Sequence, residues 1–307
     1  MHDIEGMEII VTGGAGFIGS NLVESLAQEN KVYVIDNMHT GSELNLEEAL
    51  KSGNVKLIKD DSKDIDRHGI DADIVFHLGM YSSSPMYKEN PNLLNEVVEG
   101  IINVLEYARK NECMLVFAST SSIYNGIEPP QREDIVPKVA DYYTEGRIYA
   151  ERLSELYHRL YGTSTAAMRF FSVYGMHEEA KKEYANLVTQ FLWLMQKDKK
   201  PVIYGDGTQR RDFVFVDDVV EALRLAAKVK GFEVLNVGTG RNYSLNETVD
   251  MLNSMLGKRI EPEYVNMDVK NYVMETKADV SKAERLIGFR ARVTLEEGIR
   301  RLIESRG

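Results

Sequence analysis

Short β-rich runs recur along this chain and alternate with longer amphipathic stretches. The segments "MEIIVTG" near residue 7, "KVYVID" near 31, "VKLIKD" near 55, "DIVFHLG" near 73, "MLVFAST" near 114 and "TAAMRFF" near 165 place apolar side chains at successive positions, as strands covered on both faces do. Between several of them, residues 17 to 29, 92 to 111 and 145 to 161 read as helices. In the last of these, Leu153, Leu156, Tyr157 and Leu160 follow helical spacing. Strand, helix, strand in repetition predicts an α/β fold built on a doubly wound parallel sheet.

After about residue 170 the pattern loosens. Strands are predicted at "KPVIYG", "RDFVFV" and "EVLNVG", with helices near 186 to 197 and 217 to 229. The charge runs "EEAKKEY" and "QKDKK" read as solvated surface. The expected division is a domain over residues 1–170 and a smaller C-terminal lobe over 171–307, with segments of the lobe returning to the first domain.

Composition and charge narrow the classes of function. Of 307 residues, 43% are hydrophobic and 28% charged, and no apolar run approaches the roughly 18 residues that span a bilayer. The opening "MHDIEGMEII" has no basic region followed by an apolar stretch, so no secretory signal is expected. A formal net charge of −11 disfavours nucleic acid, whose binding rests on clustered Lys and Arg. Cys113 is the one cysteine, which excludes an intrachain disulfide and points to a cytoplasmic protein with a buried, inert thiol. His2, His39, His68, His77, His158 and His177 show no metal-ligand spacing, and no metal site is expected.

The strongest local signal is "IIVTGGAGFIGSN", which sets Gly14, Gly16 and Gly19 in G-x-G-x-x-G spacing with Gly13 just before them. A predicted strand precedes the motif and a helix follows it. The next strand ends on Asp36 in "VYVIDN", which is the context of a dinucleotide-binding loop. Glycines let the backbone approach a pyrophosphate whose charge the helix N-terminus stabilises. Asp36 can accept hydrogen bonds from both adenosine ribose hydroxyls and would repel a phosphate there, and "DNMHTG" offers no arginine to compensate. NAD is therefore expected rather than NADP.

With the glycine loop, Asp36, "FASTSSIY", Tyr143 and "IYGDGTQRRDFVFVDDV" taken together, the chain resembles an extended short-chain dehydrogenase/reductase, and within that superfamily the nucleotide-sugar 4-epimerases. The resemblance runs from Met7 to about Ile303 and implies a Rossmann-type fold whose C-terminal lobe binds a nucleotide sugar, UDP-linked by expectation. It implies that Tyr143 is the catalytic acid/base and Thr120 its hydroxyl partner. It assigns the cofactor to Gly13, Gly16, Phe17, Ile18, Gly19, Asp36, Asn37, Asp61, Ser62, Leu78, Tyr143 and Arg147, with Asp61 contacting adenine. Arg211 would pair with the substrate's diphosphate, Asn186 and Leu187 would cradle the nucleotide, and Ser172 and Tyr204 complete the substrate set. Family members also imply a homodimer joined through the helices near 92 to 111 and 145 to 161.

The departures are specific. Arg147 stands where the family carries lysine, Ser172 where it carries asparagine, and Val97 where a helix asparagine lies near the cofactor. Val269 and Tyr272 fall where an arginine and an aspartate help clasp the nucleotide. Ser121 and Ser122 occupy the place of the Asp-Glu pair of related dehydratases, and Ser122 that of the glutamate of related decarboxylases. Both of those chemistries need the extra carboxylate, so epimerisation is expected.

Oxidising a sugar hydroxyl needs a base for its proton, and a free tyrosine, with a pKa of about 10, is protonated near neutrality. A nearby cation helps the phenol act as that base. Spacing of four puts Tyr143 and Arg147 on one helix face. Arginine keeps the positive charge but spreads it over a bulkier fork, so the exchange for lysine is not conservative.

The expected function is an NAD-dependent nucleotide-sugar 4-epimerase. Two alternatives stay open: a dehydrogenase or reductase with net redox, and a non-catalytic dinucleotide-binding regulator. Counting back from "ADVSKA", Thr276 falls where related epimerases wall the pocket beside the sugar's second carbon, unless the loop is out of register. A small residue there would admit an N-acetyl group.

Overall fold

Alternate side chains of the buried strands divide between two apolar cores, and that division sets the layers of the molecule. The computed structural model describes residues 4–138, 140–266 and 272–305, so Val269 lies outside the described residues. Its strands are β1 (Glu8–Thr12), β2 (Lys31–Ile35), β3 (Val55–Ile58), β4 (Ile74–His77), β5 (Met114–Thr120), β6 (Thr165–Phe170), β7 (Ser172–Tyr174), β8 (Val202–Tyr204), β9 (Arg210–Arg211), β10 (Phe213–Phe215), β11 (Phe232–Val237), β12 (Tyr243–Ser244) and β13 (Glu263–Val265). The α-helices are α1 (Phe17–Leu26), α2 (Glu47–Lys51), α3 (Ser84–Glu89), α4 (Leu93–Lys110), α5 (Tyr142–Tyr161), α6 (Leu187–Gln196), α7 (Val216–Ala226), α8 (Leu245–Leu256), α9 (Ser281–Ile287) and α10 (Leu295–Glu304).

Seven strands form one parallel sheet in the order β11-β6-β5-β4-β1-β2-β3. Ile9 and Val11 of β1, Val32 and Val34 of β2 and Val116 of β5 face one core, to which α1 and α7 contribute. Ile10, Ile35, Val75, Leu115 and Phe117 point the other way, into the core shared with α4 and α5. The chain reverses direction across the sheet between β1 and β4, and in such sheets ligands bind outside the carboxyl ends of the strands at that switch. The carboxyl ends of the strands are Val237, Phe170, Thr120, His77, Thr12, Ile35 and Ile58 in sheet order.

Residues beyond 170 build a third core, where α6, α8 and α10 bury Val188, Phe191, Leu192, Leu245, Val249, Leu252, Leu295, Ile299 and Leu302. Their strands pair in twos, β7 with β10, β9 with β12 and β8 with β13. β11 leaves this lobe and lies against β6 at the edge of the main sheet, in register from Phe232↔Thr165 to Val237↔Phe170. Among the described residues no helix is long and apolar enough to cross a membrane, and no cluster of His, Cys, Asp and Glu could hold a metal ion. Cys113 is buried, which pushes its thiol up to about 12.

Helix α5 begins earlier than the apolar spacing predicts. Asp141 caps it by accepting the Thr144 amide at 2.8 Å, and Gly162 closes it in the left-handed conformation, φ 73°. Four residues beyond Arg147, Glu151 meets Arg169 of β6 in a buried two-pronged pair, with Nε to Oε1 at 2.9 Å and Nη2 to Oε2 at 2.7 Å. Ser119 donates to the same carboxylate at 2.6 Å, and Arg169 donates to the Tyr124 hydroxyl, which in turn donates to Asn236 of β11.

Two sequence expectations change. Val216 opens α7 instead of closing a strand, because β10 ends at Phe215. The run "EEAKKEY" is not all solvated surface: Glu178 is fully buried, accepts the Asn186 amide at 2.9 Å and the Thr189 hydroxyl, and lies 3.6 Å from Lys181. A carboxylate with those donors can be buried where composition alone suggests exposure.

Removing one partner of a buried pair strands the other charge. Glu151→Ala should therefore cost about 3–5 kcal/mol in urea unfolding, and Glu151→Leu combined with Arg169→Met should recover most of that loss. A single variant as stable as the parent would show that the pair does not hold α5 in place.

Candidate active site

The carboxyl ends of the strands open onto a cavity of about 320 Å³. Its floor is the glycine loop. A Cβ on Gly13 would come within 2.6 Å of the Gly79 backbone nitrogen, and one on Gly19 within 2.1 Å of the Gly13 carbonyl oxygen, so only glycine lets the loop pack here. Helix α1 starts directly after Gly16 with no side-chain cap and no acidic residue in its first turn, which leaves its N-terminus free to face an anion.

Asp36 stands beside the loop at the end of β2. Its carboxylate accepts the Ala15 amide at 2.9 Å and the Met38 amide at 2.8 Å, and Met38 adopts φ 62° to make the second bond. Burial pushes the Asp36 carboxyl up, against the pull of the Met38, Ala15 and Gly16 amides. The carboxylate keeps lone-pair capacity for a ligand hydroxyl.

The opposite wall is chemical. Thr120 ends β5, is 5% exposed, and caps the 3-10 turn Ser121–Tyr124 by accepting the Ser122 amide at 3.1 Å. That bond leaves the Thr120 hydroxyl its own proton to donate. Tyr143 and Arg147 reach the cavity from the first turns of α5, and the Arg147 guanidinium carbon lies 4.7 Å from the centre of the Tyr143 ring. Ser121, Ser122 and Ser172 add hydroxyls to the lining.

Of the expected site residues, the cavity brings together Gly13, Gly16, Phe17, Ile18, Gly19, Asp36, Asn37, Ser62, Leu78, Thr120, Tyr143, Arg147 and Ser172. Asp61 lines a small annex with His77 and Val97, where it accepts from Asn37 at 3.0 Å and from the Lys63 amide at 3.1 Å. The other expected lobe residues lie off the cavity. Asn186 caps α6, whose first residue is Leu187; Tyr204 ends β8 half exposed; and Arg211 lies over the Tyr272 ring at 5.3 Å. Thr276 does not wall the cavity: it is buried and its hydroxyl accepts the Asp212 amide at 3.2 Å. Asp212 itself gathers the amides of Thr239, Gly240 and Ala278.

Sequence reasoning passed over Tyr81 and Lys181, which also line the cavity. Lys181 Nζ lies 5.2 Å from the centre of the Phe17 ring at the start of α1. Its signal was a cation inside a charge run, indistinguishable by pattern from solvated surface.

The residues fit a dinucleotide. The glycine cradle and bare helix N-terminus suit a pyrophosphate, and Arg147 Nε is buried with no partner among the described residues. NAD would rest on the loop from Gly13 to Gly19, with its adenosine ribose at Asp36.

His77 is fully buried beneath this site, its Nδ1 2.7 Å from Thr12 Oγ1. Burial, and then the charge of Arg147, lower its pKa to about 3. The unfolded chain takes up that proton below about 6.5 while the fold refuses it, so stability falls as pH drops from there toward 3. His77→Gln should flatten this part of the stability curve in urea unfolding across acid pH; curves that stay parallel would remove His77 as a cause.

Comparison with known proteins agrees with this geometry. Residues 9–238 match the model of the NAD dependent epimerase/dehydratase family. A UDP-glucuronate 4-epimerase of Thermodesulfobacterium geofontis is 34% identical over 96% of this chain and 94% of its own. Among solved structures, a UDP-N-acetylglucosamine 4-epimerase from Methanobrevibacter ruminantium M1 superposes with a TM-score of 0.91 at 27% identity, over 98% of this chain and 100% of its own. The UDP-glucose 4-epimerase of Thermotoga maritima does so with a TM-score of 0.89 at 29% identity, over the same shares of both chains. With the glycine loop, Asp36 and the Thr120–Tyr143 wall on one cavity and the family model covering most of the sequence, the chain belongs to the NAD dependent epimerase/dehydratase family.

Proposed function

We propose that this protein is a UDP-sugar 4-epimerase that interconverts a UDP-linked hexose or N-acetylhexosamine with its C4 epimer. One observation carries the reading: a single cavity gathers the glycine loop, Asp36, Thr120, Tyr143 and Arg147, and the turn after Thr120 adds the hydroxyls of Ser121 and Ser122 in place of a carboxylate. Dehydration and decarboxylation of sugar nucleotides lack their acid here. The relatives named above, which act on UDP-sugars by their printed names, support the same substrate class.

NAD, held by the glycine loop and Asp36, would supply the acceptor for the carbon-4 hydride and the donor for its return. The protein manages the proton and the position. Tyr143 Oη takes the proton of the carbon-4 hydroxyl and later gives it back, while the Thr120 hydroxyl donates toward the reacting oxygen. Arg147, 2% exposed, supplies the positive charge that offsets the phenolate while Tyr143 is without the proton. On this reading residues 1–170 bind NAD, and 171–307 mainly hold the nucleotide sugar through Asn186, Leu187, Tyr204 and Arg211. The exposed Tyr149, Leu156, Leu160 and Tyr161 of α5 suit the homodimer that family resemblance implies, and the cytoplasm remains the proposed compartment.

Calorimetric titration should show NAD binding more tightly than NADP, because Asp36 opposes a ribose phosphate; equal affinities would remove that role. Incubation with a panel of nucleotide sugars should yield C4 isomers without net appearance of reduced cofactor. Stoichiometric reduced cofactor would instead make the protein a dehydrogenase. Tyr143→Phe should lower turnover at least about 100-fold and leave NAD bound, Arg147→Lys should retain activity, and Arg147→Met should lose most of it.

A further inference from the structure

The guanidinium of Arg147 sits in a built socket. Its Nη2 donates to the Tyr81 backbone carbonyl at 2.8 Å, and its Nη1 donates to the Tyr87 hydroxyl at 3.3 Å. The Tyr87 hydroxyl donates its one proton to that same carbonyl at 3.1 Å, so its oxygen is the acceptor toward arginine. Two prongs of the guanidinium and one phenol thus close a ring of three hydrogen bonds around the Tyr81 carbonyl.

Aromatic rings complete the enclosure. The Tyr87 ring meets the Tyr143 ring edge-on, with centroids 5.7 Å apart, and meets the Tyr81 ring at 6.5 Å. Tyr87 is 1% exposed and lies on α3, a separate element from the helix that carries Tyr143 and Arg147. The guanidinium is therefore clamped from α3 against the face of Tyr143. Both clamping bonds use the fork. A lysine at position 147 would end one covalent bond short of the Nη atoms and present a single nitrogen, so it could not satisfy both acceptors in the same way.

We propose that Tyr87 is a positioning residue for the reaction: it holds the Arg147 guanidinium against Tyr143, and it is needed because this chain carries arginine at that place. The inference rests on the reading of Tyr143 as the acid/base. A guanidinium with one anchor rotates and spreads its charge over several orientations, whereas with two it acts as a preorganised charge. Tyr87→Phe removes the acceptor and keeps the ring, so the packing against Tyr143 survives while the clamp opens.

The test compares the parent, Tyr87→Phe, Arg147→Lys and the combined variant, each with NAD and the UDP-sugar that the parent converts. Tyr87→Phe should lower kcat about tenfold and leave KM within about twofold, while the same change in the Arg147→Lys background should cost less than about twofold. Equal losses in both backgrounds, or no loss in the parent background, would overturn the proposal, because a merely structural tyrosine does not depend on which cation lies beside it. Nitrogen-15 NMR of the full-length protein reads the clamp without catalysis. The Arg147 Nη protons, assigned by their loss in Arg147→Lys, should be resolved and slow to rotate in the parent and averaged in Tyr87→Phe. Averaging already in the parent overturns the socket whether or not Tyr87→Phe folds. A slowly rotating guanidinium in a parent that converts no sugar nucleotide would leave the socket standing and sink the epimerase reading instead.

Discussion

The buried pair between Glu151 and Arg169 is the contact on which the geometry of the site depends. Tyr143, Arg147 and Glu151 lie four residues apart on α5, so whatever fixes Glu151 sets the rotation and height of the other two. Apolar packing of Ala150 and Leu153 can bury the helix, yet apolar contacts tolerate small slides and turns. A bidentate carboxylate–guanidinium bond does not, since both prongs must stay in line. The third donor, Ser119, sits next to Thr120 on β5, so the same carboxylate registers helix and strand against each other. Such a pair adds little net stability over an apolar substitute, and its value here lies in orientation.

From that anchor the charges in the cavity fall into an order. The guanidinium of Arg147 is desolvated and shares its surroundings with His77, which burial and that cation keep neutral. On the opposite side Lys181 is balanced by buried Glu178 near the first residue of α1. Arg147 and Lys181 thus line the cavity together with the Asp36 carboxylate, while the serines and threonines of the lining are neutral. A negatively charged ligand meets a favourable site inside a protein whose net charge is −11.

What the sequence reveals follows from distance along the chain. The glycine loop, Asp36 and the spacing of Tyr143 and Arg147 are local patterns, and local geometry makes them legible. Six strands of the sheet are legible too as apolar runs, whereas the seventh, β11, reads as part of the lobe until it is seen paired with β6. The partners of Arg147 are not legible, since Tyr81 and Tyr87 lie 66 and 60 residues away and carry no spacing that links them to α5. Glu178 is hidden for a related reason: burial depends on the Asn186 amide and Thr189 hydroxyl, which compensate its charge only once α6 is in place. The contact of Thr276 with the Asp212 amide is hidden as well, because the two residues lie 64 positions apart.

Asp212 joins the lobe to the end of the sheet. Its carboxylate takes amides from the turn after β11 and from the C-terminal stretch at Ala278, while its own backbone bonds Thr276 on one side and Ser172 on the other. Burial desolvates that carboxylate, and its amide donors offset the cost, so losing any one of them inside the fold is unfavourable. A hinge at Asp212 would break several of these bonds together. On the epimerase reading, the half-turn that inverts a sugar centre would fall to the rotatable bonds of the ligand's diphosphate.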